Sequence, residues 1–168
     1  MIKFMGMLMI ICSGTMLSYL PICWMKERIR ILCAYADALK RMKEELSIRD
    51  LSIPTLLEVL SEEETMHGIF PYMKSYTEEH GIMAFDEGWR AYVVRDDAVF
   101  EEVEQKVLLS VGETLGRCAI EDQLLEIERG ISVLLDGACE TRRKVKETMR
   151  LCLGTGVSLS IMLVIVLL

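Results

Sequence analysis

The apolar positions of this chain crowd its two ends, and between them they recur at helical spacing. No charge falls between Lys3 and Lys26, so Phe4 to Met25 is an uncharged run of 22 residues. As a helix it is about 33 Å long, enough to cross the hydrocarbon core of a bilayer. No charge follows Arg150 either, and Leu151 to Leu168 is a run of 18 residues. Its helical length of about 27 Å is a minimal span. The pattern predicts a transmembrane helix over residues 1–25, a soluble domain over 26–150 and a second transmembrane helix over 151–168. The first run is long for a signal-peptide core and no A-x-A site follows it, so it is expected to be retained. Ile11 and Ile22 precede Cys12 and Cys23, where a lipid-attachment site needs a small residue.

The middle reads as helices throughout. Ile31, Tyr35, Ala38, Leu39 and Met42 form one stripe, continuous with the first membrane run. Ser47 to Ser52 interrupts it, and Ile53-Pro54 opens a second helix with an apolar face of Leu56, Leu57, Val59 and Leu60. Phe70 to Glu79 follows Gly68 and stops at Gly81. Asp86 and Glu87 suit the first turn of a helix carrying Trp89, Tyr92 and Val93. Asp96 or Asp97 is expected to cap a helix through Val99, Val103, Val107 and Leu108, which ends between Gly112 and Gly116. From about Ala119 to Arg150 a last helix carries Ile120, Leu124, Ile127, Ile131, Leu134 and Leu135 as its stripe. No period-2 stretch of strand length stands out. The expected fold is all-α: an antiparallel bundle of about six helices, whose even number returns the chain to the membrane face it left.

Charge sharpens this picture. The 168 residues carry 19 Lys+Arg and 26 Asp+Glu, a net charge of -7, at a mean hydropathy of +0.31. That combination excludes a disordered chain. The net acidity argues against nucleic acid as a partner. Lys26, Arg28 and Arg30 follow the first apolar run, and Arg142, Arg143, Lys144, Lys146 and Arg150 precede the second. By the positive-inside rule the middle is cytoplasmic and both termini lie outside. Between Asp50 and Thr141 stand 21 acidic and 6 basic residues. Anionic lipid attracts the membrane-proximal parts and repels the distal one.

Chemistry is sparse. Six cysteines show no C-x-x-C and no zinc spacing, so they are expected reduced, as small apolar residues. The two histidines, His67 and His80, have no ligand spacing. Phosphate-loop, dinucleotide, zinc-protease and nucleophile-elbow motifs are absent from the sequence. No catalytic residue, metal or cofactor is therefore expected. Gly14 and Ser18, Gly154 and Ser158, and Gly156 and Ser160 stand four apart. Such faces permit close helix packing in lipid, within one hairpin or between copies of a homo-oligomer.

The segment Gly112-Glu113-Thr114-Leu115-Gly116, followed by Gln123, resembles the G-E-T-L-G…Q signature of the stage III sporulation protein AB family. The organisation of the whole chain is similar as well, while the residue match is confined to this motif. One departure is Ala119, where the family often has an acid; here the acids stand at Glu121 and Asp122. Taken physically, two glycines four apart at a helix end permit a positive φ and close backbone approach, and Glu113 and Thr114 can serve orphan backbone groups. The motif reads either as a tight interhelical turn or as a partner contact.

The resemblance implies a non-enzymatic component of the channel joining mother cell and forespore in endospore-forming bacteria, in the mother-cell membrane. It also implies a soluble part similar to the type II secretion system protein F domain, a platform linking a cytoplasmic ATPase to membrane components. The implied partners are stage III sporulation protein AA, which is the ATPase, and the other membrane proteins of the complex. A second reading is an extracytoplasmic structural component spanning the intermembrane space. An enzyme anchored at both ends has no motif behind it.

Overall fold

The computed structural model describes the backbone of residues 2–49, 52–62, 68–96 and 98–167, and the side chains of 22–48, 52–61, 68–96 and 98–150. The described residues are all-α. Six α-helices, α1 (Ile2–Arg49), α2 (Ile53–Glu62), α3 (Ile69–His80), α4 (Phe85–Arg95), α5 (Glu102–Thr114) and α6 (Ile120–Leu167), are joined by short connections, with a 3-10 turn over Ile82–Ala84. The chain divides into two compact units, Met1–Ile29 with Cys139–Leu168, and Arg30–Ala138. The two runs expected to cross a membrane lie almost wholly outside the residues whose side chains are described. Among the described residues no helix is long and apolar enough to cross a membrane.

The larger unit is built around α1. Leu32, Tyr35, Ala36 and Leu39 are fully buried, and Ile31, Ala34, Ala38 and Met42 are buried beside them. Every residue of the expected stripe is buried, and Arg30, Cys33, Asp37, Lys40, Arg41 and Glu44 form the more exposed face opposite. α6 runs antiparallel to α1, since Gly137 faces Leu32, Gly130 faces Leu39 and Lys43 pairs with Glu128 at 3.1 Å. Contact at glycines lets two helix backbones approach closely. Among the described residues of α6 the buried stripe is Gln123, Ile127, Leu134, Ala138, Thr141 and Val145, with Gly130 on the same face. The expected stripe shares only Ile127 and Leu134 with it; Ile120, Leu124, Ile131 and Leu135 are half-buried. Helical spacing was right, but reading apolar residues alone turned the stripe away from its small and polar members.

An aromatic seam joins the shorter helices to α1. The Tyr35 ring meets Phe100 edge-on at 5.0 Å and Tyr92 at 6.2 Å, and Tyr92 meets Tyr72 of α3 at 5.0 Å. The Tyr35 hydroxyl donates to Asp96 Oδ2 at 3.0 Å. Asp96 is thus taken up by α1 and by the end of α4, where its N–H closes the last turn on Val93 and Val94. It does not cap the next helix, and Asp97 lies outside the described residues. Glu101 is the N-cap of α5, and its N–H donates to Glu104 Oε2 at 2.8 Å in a capping box. Val99 therefore falls before the helix and Val103 is 64% exposed, contrary to the expected stripe.

Candidate functional site

The α5–α6 corner holds the sequence motif, and each of its residues has a definite setting. Gly112 lies inside α5 against Trp89; a Cβ there would fall on the indole, 2.8 Å from its Cγ. Trp89 is buried, its Nε1–H donates to the Leu108 carbonyl at 2.7 Å, and it stacks on Phe85 at 6.2 Å. Satisfying the indole N–H is what allows so large a ring to be buried. Glu113 is exposed and accepts from Arg90 at 2.9 Å. The Thr114 hydroxyl donates back to the carbonyls of Ser110 and Val111, both at 3.1 Å. Leu115 is 3% exposed.

Gly116 adopts φ 72°, the left-handed region that a side chain resists, and sits against Ile53. Its N–H donates to Gln123 Oε1 at 3.2 Å, and Gln123 Nε2 donates to the Cys118 carbonyl at 2.7 Å. Gln123 thus ties both sides of the turn to the first turns of α6. Ala119 contributes only its carbonyl, which accepts from Asp122 and Gln123. Glu121 and Asp122 supply the negative charge that a helix start favours. All six motif residues converge on one corner, with Trp89, Arg90 and Ile53 as neighbours that the motif itself did not indicate.

The basic residues fall elsewhere. In the smaller unit the Arg28 guanidinium donates to the buried Thr141 hydroxyl, while Lys26, Arg142, Arg143, Lys144, Lys146 and Arg150 are exposed. Arg143 and Lys144 pair along the helix with Glu147 at 3.4 Å and Glu140 at 2.9 Å. Arg30 is exposed and opens the larger unit. Trp24, which the sequence reading passed over, is 74% exposed. Its signal was available: an aromatic residue at the end of an apolar run, just before basic residues.

A surface depression of about 330 Å³ is lined by Lys40, Lys43, Glu44, Ser47, Glu128 and Ile131. Its lysines are already paired, Lys40 with Asp37 at 2.9 Å and Lys43 with Glu128. Among the described residues no group of three or more His, Cys, Asp or Glu is placed to hold a metal ion. The described cysteines are free thiols, with Cys23, Cys118 and Cys139 exposed and Cys33 half-buried. His80 is exposed and stacks on Tyr76 at 4.4 Å, and His67 lies outside the described residues. Burial pushes the Tyr35 hydroxyl well above its ordinary pKa, helped by the negative charge of Asp96. Burial raises Tyr92 in the same way. Both are core groups held neutral.

Fold and corner together define a helical-bundle protein in which a glycine-bounded turn feeds a long helix antiparallel to the first. The model of the family described as stage III sporulation protein AB matches residues 3–168, and the chain belongs to that family. Membership ties it to stage III of sporulation. No curated protein and no solved structure matches the chain.

Proposed function

We propose that this protein is a non-enzymatic membrane platform of the mother cell–forespore channel, coupling a cytoplasmic ATPase to membrane components. It works by binding, with stage III sporulation protein AA as its ATPase partner. The two uncharged runs, Phe4 to Met25 and Leu151 to Leu168, anchor it in the mother-cell membrane. The bundle faces the mother-cell cytoplasm, in the manner of the type II secretion system protein F domain.

The observation that carries this reading is the make-up of the smaller unit. Both uncharged ends belong to it, and exposed basic residues follow the first run and precede the second. A hairpin with basic flanks on one side is what the positive-inside rule orients. Trp24 supports the same reading, since an amphipathic ring at 74% exposure is favoured at a headgroup boundary and not in water.

Topology is the test. With the native cysteines removed, Leu125→Cys offers a label at a side chain 68% exposed on α6. An impermeant maleimide is expected to leave it unlabelled in intact sporulating cells, while an external control cysteine labels, and to reach it after lysis. Labelling in intact cells overturns the platform and favours the extracytoplasmic, gap-spanning component.

A further inference from the structure

The stretch from Asp50 to Thr141 carries a large acidic surplus. Of the 6 basic residues between Asp50 and Thr141, five already stand beside a carboxylate. Arg90 meets Glu113 at 2.9 Å, Arg95 meets Asp96 at 3.9 Å, Lys106 meets Glu102 at 2.6 Å, Arg117 meets Asp86 at 2.9 Å and Arg129 meets Glu126 at 3.8 Å. The segment sets 21 acids against 6 bases, so its net charge is strongly negative.

Within this field one apolar feature projects. At the turn between α3 and α4, Ile82 is 52% and Met83 88% exposed, the latter being the most exposed large apolar side chain among the described residues. Glu78, Glu79 and Glu87, close by in the sequence, are exposed as well. The turn is held on both sides. The Gly81 N–H donates to Thr77 O at 2.9 Å, and the Ala84 N–H to Gly81 O at 3.1 Å. Phe85 anchors the next residue in the core, 4% exposed and stacked on Trp89. Asp86 is gripped by Arg117, the residue after the motif's Gly116. Single exposed apolar residues are ordinary. Two adjacent ones on a fixed turn, with exposed Glu78, Glu79 and Glu87 close by in the sequence, form a pre-organised knob, which loses little freedom on binding.

We infer that the Ile82–Met83 turn is a docking knob for a partner protein whose surface offers an apolar pocket rimmed by lysine and arginine. The carboxylates decide among occupants. They repel an anionic bilayer and nucleic acid alike, and a second copy of the same acidic corner. They attract a basic rim, while Ile82 and Met83 supply the desolvated centre that carries most of an interface's energy. The inference deepens the platform reading and rests on it, the partner there being the ATPase.

The experiment measures binding of the full chain in nanodiscs to purified stage III sporulation protein AA. The wild type is expected to bind, more weakly as salt rises. Ile82→Ser with Met83→Asp, and separately Glu78→Lys with Glu79→Lys, are expected to weaken binding roughly tenfold or more. Leu125→Asp, equally acidic but far along the sequence on α6, is expected to stay within about twofold of wild type. Far-UV circular dichroism and melting of all variants should match wild type, because the altered side chains are exposed. Wild-type binding that survives both knob variants, or falls as much with Leu125→Asp, overturns the knob and leaves the platform standing. Failure of the wild type to bind overturns the ATPase-coupled platform and the knob with it.

Discussion

Gly112→Ala adds one methyl group at the tightest point of the α4–α5 contact. In an exposed helix that change stabilises by about 1 kcal/mol. Here the new Cβ falls on the Trp89 indole, 2.8 Å from Cγ and 3.1 Å from Nε1. The ring has nowhere simple to go, being 1% exposed, stacked on Phe85 and bonded to the Leu108 carbonyl. Overpacking of a formed core costs about 1–3 kcal/mol. Pulling Nε1 off its carbonyl leaves a buried donor unpaired, a further cost of about 1–3 kcal/mol. Against the helix gain, the net is a destabilisation of about 3 kcal/mol, or roughly 10 °C in melting temperature for a chain of this size. The assay is thermal unfolding of the full chain in detergent, in a Trp24→Phe background so that emission reports Trp89 alone. A lower melting temperature with a red-shifted or altered emission is expected. In a Trp89→Phe background the added cost should shrink by about 1 kcal/mol or more, the coupling of two groups in contact. Gly112→Ala that melts at or above wild type with unchanged emission would refute the reasoning.

Gly116→Ala forces a side chain into φ 72° and against Ile53, and is expected to cost about 1–2 kcal/mol, with Gly116→Asn milder because Asn tolerates that region; thermal unfolding checks the order. Gly137→Ala drives a Cβ into the Glu104 carboxylate, so it should destabilise and loosen the α5 cap, read as faster amide exchange at the start of α5. Tyr35 and Tyr92 have folded-state pKa values raised above their ordinary 10.0, so their contribution is fully present below that pH and is lost as pH climbs beyond it. Stability should therefore be insensitive to these groups near neutrality and fall in strong alkali. Tyr35→Phe should blunt that fall while costing about 1 kcal/mol for the lost bond to Asp96.

Much of the bundle was legible because local signals and tertiary packing agreed. Pro54 in the first turn of α2, Gly81 after α3 and the acids at the start of α4 each marked a boundary that the structure keeps. The disagreements have a common origin. Asp96 looked like a cap for the helix after it, but a tyrosine 61 residues earlier claims its carboxylate. The sequence stripe of α6, Ile120, Leu124, Ile127, Ile131, Leu134 and Leu135, keeps only Ile127 and Leu134 buried, because close approach to α1 favours the row containing Gly130, where a small residue fits beneath Leu39.

By itself the sequence determined what short-range chemistry can determine. Helical periodicity, uncharged ends, the segregation of charge and the spacing of Gly112 and Gly116 are all properties of neighbours in the chain. Tertiary structure alone decided which groups meet across long separations. It set Trp89 under Gly112, Ile53 against Gly116, Glu104 in the space left by Gly137, and Met83 on the outside of a turn whose neighbour Phe85 is buried. The physical reason is that a helix pattern fixes how many faces are apolar, not which partner covers each one. Close packing makes that choice through volumes one methyl group in size, at positions where glycine contributes no apolar signal.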